Sequence, residues 1–221
     1  MSSAVPFRYA EHLLVVPVMV DGVETSFILD TGIGVNLISP GLAAKVSCLP
    51  LGESYTGRRM SGQQVPLPMS TLGSLKMGDY ARTDVPVGVF DLSLGLEGIE
   101  GFVSLTNFRS APVTIDYEAG VIVIEDERSL AGRVASGTSV AIRVREDGPY
   151  STDVHVDLTL PGRGSVSVEV DTGSDNFILN QPFAAPSGVD LGAEGIRKLS
   201  EQDETGHEYA RYFTACQETS A

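Results

Sequence analysis

Apolar and polar residues alternate along most of this chain with the period of β-strands, and short glycine-bearing gaps separate the runs. Leu14-Val15-Val16-Pro17-Val18-Met19-Val20 reaches Asp21-Gly22 and returns through Val23–Leu29, which predicts a tight hairpin. Thr71–Tyr80 and Asp84–Phe90 read as further strands, and Val113–Tyr117 with Val121–Glu125 as a last hairpin about Glu118-Ala119-Gly120. Helix is confined to one or two turns at Pro40–Lys45 and a short segment at Phe102–Phe108. Residues 126–137 are charged and small and read as a linker. Past it, Ser139–Arg145, Asp153–Leu160 and Ser165–Val170 are strand-like, with a turn at Pro161-Gly162-Arg163-Gly164. The pattern predicts an all-β chain with short helices.

The pattern also repeats. Phe27-Ile28-Leu29 leads into Asp30-Thr31-Gly32, and Val168-Glu169-Val170 leads into Asp171-Thr172-Gly173. An apolar run follows each triplet after a short gap. One Asp-Thr-Gly is an ordinary turn; two, each closing a strand-like run, are what a site needs if two carboxylates must face each other and share a proton. A second correspondence lies downstream at similar distances: Ser61-Gly62-Gln63 and Thr205-Gly206-His207 each read as the tip of a hairpin. Two features repeated in the same order argue for internal duplication.

On these residues the chain resembles aspartic proteases of the pepsin and retropepsin type. Ile99-Glu100-Gly101 and the strand Val113-Thr114-Ile115-Asp116-Tyr117 are similar to the apolar-apolar-Gly turn and the Ile-Asp-Tyr strand of that family. The resemblance covers nearly all of residues 13–125 and, more loosely, 151–217. It implies two related acid-protease lobes, residues 1–125 and 138–221, joined by 126–137. It implies Asp30 and Asp171 as the catalytic pair, braced by Thr31, Gly32, Thr172, Gly173 and Ser174. It implies flaps over a bound peptide at Ser61, Gly62 and Gln63 and at Thr205, Gly206 and His207. Ile33 departs from the pattern, since it has no hydroxyl to support Asp30. The second unit is also shorter: nothing after Gly206 corresponds to Ile99–Gly101 or to Ile115-Asp116-Tyr117. The second lobe is therefore expected to be incomplete, with a fragmentary chain or a homodimeric or other completing segment as the expected explanation.

The chemistry implied is peptide-bond hydrolysis. One carboxylate of a close pair keeps a proton; the other activates a water held between them. Three readings stand side by side: an endopeptidase with both Asp residues in one chain, a homodimer pairing Asp30 with Asp30, and a catalytically inactive binding module of the same fold. No metal or cofactor is expected. No His or Cys spacing suggests zinc, Gly-x-Ser-x-Gly is absent, and no glycine-rich stretch opens a long helix. His155 and Asp157 share a strand face and read as surface polar residues.

Composition narrows the partners. In 221 residues the net charge is −14 and the pI about 4.5, which argues against nucleic acid. Apolar content of 42 % with 24 Gly and 12 Pro suits a turn-rich globular chain. No run has the length of a membrane-spanning helix, and Leu13–Val20 ends in a turn rather than a cleavage site. Peptide or protein is the expected substrate, with no membrane partner and a cytoplasmic location. Cys48 and Cys216 form no disulfide framework.

Overall fold

A computed structural model describes residues 2–59, 62–92, 97–160, 164–202 and 208–214. Two short strands, β1 (Ser3–Pro6) and β2 (Arg8–Ala10), precede the hairpin of β3 (Leu13–Val20) and β4 (Val23–Leu29). Asp21 (φ 46°) and Gly22 (φ 84°) are both left-handed, as a two-residue turn matched to strand twist requires. Then come β5 (Leu37–Ile38), the single turn α1 (Pro40–Ala43), β6 (Cys48–Arg58), β7 (Gln64–Met77), β8 (Tyr80–Val89) and β9 (Ile99–Val103). A 3-10 turn at Leu105–Phe108 leads to β10 (Val113–Asp116) and β11 (Val121–Ile124).

Strands β2 to β9 form one sheet in the order β2-β3-β4-β9-β5-β8-β7-β6, while β1, β11 and β10 form a second. Between them lies the main core, built from Leu14, Val16, Val18, Phe27, Leu29, Leu72, Leu75, Val103, Ile122 and their neighbours. A smaller core of Val15, Ile28, Val35, Leu37, Leu67, Met69, Ile99 and Phe102 lies on the opposite side of the Asp30 strand. Strand β7 serves both, since Leu67 and Met69 enter the smaller core and Leu72 and Leu75 the main one. Gly101 is fixed by packing: a Cβ there would lie 2.5 Å from the Leu37 carbonyl oxygen and 2.6 Å from the Phe27 ring. This close approach lets β5 pair with β9.

Two sequence expectations are corrected. Phe102 and Val103 end β9, paired in parallel with Ile28 and Leu29, so helix is confined to Leu105–Phe108. The turn after β7 comes at Gly78-Asp79, so one hairpin replaces the separate strands at 71–80 and 84–90. Within the stretch read as a linker, residues 127–136 form α2 (Glu127–Ser136). Asp126 and Ser129 make a reciprocal capping box that satisfies its first backbone donors, and the helix buries no residue.

The second unit contains β12 (Ile142–Asp147), β13 (Ser151–Leu160) and β14 (Gly164–Glu169) in one sheet, and a separate hairpin of β15 (Arg197–Gln202) and β16 (Glu208–Phe213). The register aligns Ile142, Val156 and Val168 in one cross-strand row and Leu158 with Val166 in the next. These residues share a face with Val144, Val154 and Val170. Ile142 and Val170 on that face are 56 % and 39 % exposed. Among the described residues, no helix is long and apolar enough to cross a membrane.

Candidate active site

Asp30 follows β4, and its N–H donates to the Val103 carbonyl on β9 (3.0 Å), so the first loop hangs from the centre of the large sheet. Asp171 follows β14, and Val170 N–H donates to the Val154 carbonyl (2.8 Å), so the second loop hangs from the three-stranded sheet. The two loops interlock. Thr31 N–H donates to Thr172 Oγ1 (3.1 Å) and Thr172 N–H donates to Thr31 Oγ1 (3.0 Å). Each hydroxyl then donates to the strand that delivers the opposite Asp. Thr31 Oγ1 reaches the Val170 carbonyl (2.6 Å), and Thr172 Oγ1 the Leu29 carbonyl (3.2 Å). All four bonds obey one pseudo-twofold relation between the triplets.

Within each loop the Gly N–H donates to the Asp two residues before it, at 2.8 Å in both. Neither Gly tolerates a side chain. A Cβ on Gly32 would lie 2.4 Å from the Asp171 carboxyl carbon, and one on Gly173 2.5 Å from Asp30 Oδ2. The two carboxylates therefore face each other across the glycines. Asp30 is pushed up to about 6, first by burial, then by the charge of Asp171 and a hydrogen bond to it; the Gly32 and Ile33 N–H groups pull the other way. A carboxyl that holds its proton beside a second carboxylate is equipped to act as acid while its neighbour acts as base.

Ser174 forms its bond locally, its hydroxyl donating to the Asn176 carbonyl (2.9 Å). Ile33 packs against the smaller core. The hairpin of β6 and β7 ends in a turn where Arg59 N–H donates to the Gln63 carbonyl (2.9 Å) and Gly62 N–H to the Arg59 carbonyl (2.8 Å). Gly62 and Gln63 thus sit at a hairpin tip, while Ser61 lies outside the described residues. Strands β15 and β16 pair as a hairpin, but Thr205, Gly206 and His207 lie outside the described residues. His155 faces Glu169 across the sheet, and Asp157 on the same face is paired with Arg143.

Several residues at the site carry no motif. Buried Asn36 accepts from Ser104 N–H (3.0 Å) and donates to the Pro86 carbonyl (3.1 Å), tying the segment after Asp30 to β8 and to the residue just past β9. His12 Nε2 lies 3.1 Å from the Gly173 carbonyl, so the N-terminal arm touches the second loop. Glu169, two residues before Asp171 on the same strand face, is pushed up to about 7 by burial, then by Asp153, Asp171 and Asp30, with Arg145 opposing. Strand parity alone places Glu169 beside Asp171; the contacts of Asn36 and His12 are set by the tertiary fold. Among the described residues no group of His, Cys, Asp and Glu is arranged to hold a metal ion.

The fold is all-β, and its two Asp-Thr-Gly loops are paired. Residues 16–104 match the family model described as aspartyl protease. The chain is similar to a retropepsin-like aspartic protease from Rickettsia conorii, with 15 % identity and a TM-score of 0.39 over 56 % of this chain and 91 % of that one. No curated protein matches the chain.

Proposed function

We propose that the protein is an aspartic endopeptidase that hydrolyses peptide bonds with a water held between Asp30 and Asp171 of the same chain. The observation that carries this reading is the reciprocal interlock of Thr31 and Thr172, which brings each glycine against the opposite carboxylate. The ionised carboxylate takes a proton from the water as its oxygen attacks the carbonyl carbon. The protonated carboxyl donates to the carbonyl oxygen. Collapse of the tetrahedral diol breaks the C–N bond, and the amine leaves with a proton from the pair. The proton on the amine is the one taken from the water, and a diol hydroxyl returns its proton to the ionised carboxylate, so the pair ends with the single proton it began with. The hairpin of β6 and β7, with Gly62 and Gln63 at its tip, is the candidate cover for a bound peptide.

The intrachain interlock favours this reading over pairing of Asp30 from two chains. The uncovered face of the second sheet is what favours the remaining reading, a binding module without activity. Asp30→Asn and Asp171→Asn separate the three. On the endopeptidase reading each lowers kcat for peptide cleavage about 10³-fold or more, because an amide cannot cycle the proton. Full activity in Asp171→Asn with none in Asp30→Asn selects the homodimer. Lack of cleavage by the folded unsubstituted protein across acid and neutral pH selects the binding module.

A further inference from the structure

Arg109 stands outside the loops and carries no motif, yet it joins the two units. It follows the 3-10 turn of the first lobe, and its side chain crosses to the turn between β12 and β13. Nε donates to Thr152 Oγ1 (2.6 Å), Nη1 to the Gly148 carbonyl (3.0 Å) and Nη2 to the Ser151 carbonyl. Glu146 adds an ion pair at 3.3 Å. Ser151 and Thr152 are buried. The turn so held lies against the Asp30 loop: Thr152 N–H donates to the Gly34 carbonyl (3.2 Å), and Thr106 Oγ1 lies 2.9 Å from that oxygen and 3.3 Å from the Tyr150 carbonyl. Tyr150 reaches Glu53 on β6 (2.6 Å) and packs beside Tyr55.

The position of this turn is passed on to the site. Thr152 lies on β13, two residues before Val154, whose carbonyl holds Val170 N–H immediately before Asp171. Among the described residues no apolar side chain of the three-stranded sheet joins a buried core cluster, so its anchorage to the first unit sets where its carboxylate sits. We propose that Arg109 is a positioning residue for the carboxylate pair: its guanidinium locks the β12–β13 turn against the Asp30 loop and thereby sets the separation of Asp30 and Asp171. The planar fork matters, because one group must serve a hydroxyl and two carbonyls at fixed angles, which an ammonium cannot do. The inference rests on the dyad of the proposed function, but it concerns the geometry of the dyad and is testable without turnover.

The test is the titration of the Asp30 carboxyl, followed by carbon NMR in the whole protein, for Arg109→Lys and for Thr152→Val, which deletes only the hydroxyl acceptor. If the lock is loosened, Asp171 retreats and Asp30 loses both cover and a neighbouring charge, so its midpoint drops by about one unit from its raised value. The sign discriminates. Lysine keeps the positive charge, and losing a cation would raise the midpoint of an acid. Glu169 and Asp153, the other carboxylates near the pair, are unchanged in both variants. On the peptidase reading, kcat falls about 10- to 100-fold with KM little changed, since misplacement of a reacting group affects the chemical step. An Asp30 midpoint and kcat at their original values in folded Arg109→Lys and Thr152→Val overturn the proposal. A shifted midpoint in a protein that cleaves no peptide upholds it and overturns the peptidase reading instead.

Discussion

Leu29 and Val170 occupy the same position in the two units, immediately before Asp30 and Asp171, and they differ in burial: 1 % exposed against 39 %. Leu29 points into a core closed by two sheets. Val170 shares its face with Ile142 and Val144, all three exposed. The strands that flank the Asp30 loop, β9, β5 and β8, have no described counterpart beside β14. One carboxylate is thus held by its own lobe. The other is held in large part by its neighbour, through Thr31, His12 and Arg109. A duplicated motif need not be supported twice, provided that one copy is rigid enough to serve as template for the other.

The sharpest way to break this comparison is Gly173→Ala. Its Cβ would strike the Asp30 carboxylate, so the pair must part; peptide cleavage is expected to fall at least about 100-fold. Retention of activity would mean that the loops are less tightly opposed than their interlock implies. Next in size is the paired substitution Leu29→Ala and Val170→Ala. Leu29→Ala should cost about 3 kcal/mol in urea unfolding by opening a cavity in a closed core. Val170→Ala should cost about 1 kcal/mol or less, because much of its surface is already in water. Equal costs would show that the second face is covered in solution.

The smallest effect is the pH dependence of stability. Asp30 and Glu169 titrate near 6 and 7 when folded, above the ordinary carboxylate values they regain on unfolding. Between about pH 4 and 7 the native state therefore binds more protons than the unfolded state, and stability falls as pH rises through that window. Melting temperature measured across it should decline, and Glu169→Gln should flatten the upper part of the decline. A flat profile in the unsubstituted protein would remove the crowding of carboxylates around Asp171.

Much of this architecture was legible in the alternation of residues. The Asp21-Gly22 hairpin, the last hairpin of the first lobe and the strands β12 to β14 follow from apolar periodicity and turn residues. The two Asp-Thr-Gly triplets point to Asp30, Asp171, Thr31 and Thr172 from the sequence alone, because the motif is local. What escaped was tertiary. Strands β1 and β2 are only four and three residues long and are fixed by pairing with β11 and β3. The helix at 127–136 escaped because small and charged residues suit both a linker and an exposed helix, and the capping box decides between them. Arg109, Asn36 and His12 act across long separations, where side-chain geometry and not spacing selects the partner.

The threonine interlock joins residues 141 positions apart in the chain. Contacts so distant close late, since the intervening loop must first lose its entropy to local structure. During synthesis the Asp30 loop is complete long before residue 172 exists, and alone it is a single acid in a turn. Whatever chemistry the pair performs is therefore withheld until both units have folded and met. On the proposed peptidase reading, the spacing of the motif would make hydrolytic competence a report of finished folding and would shield the growing chain from it.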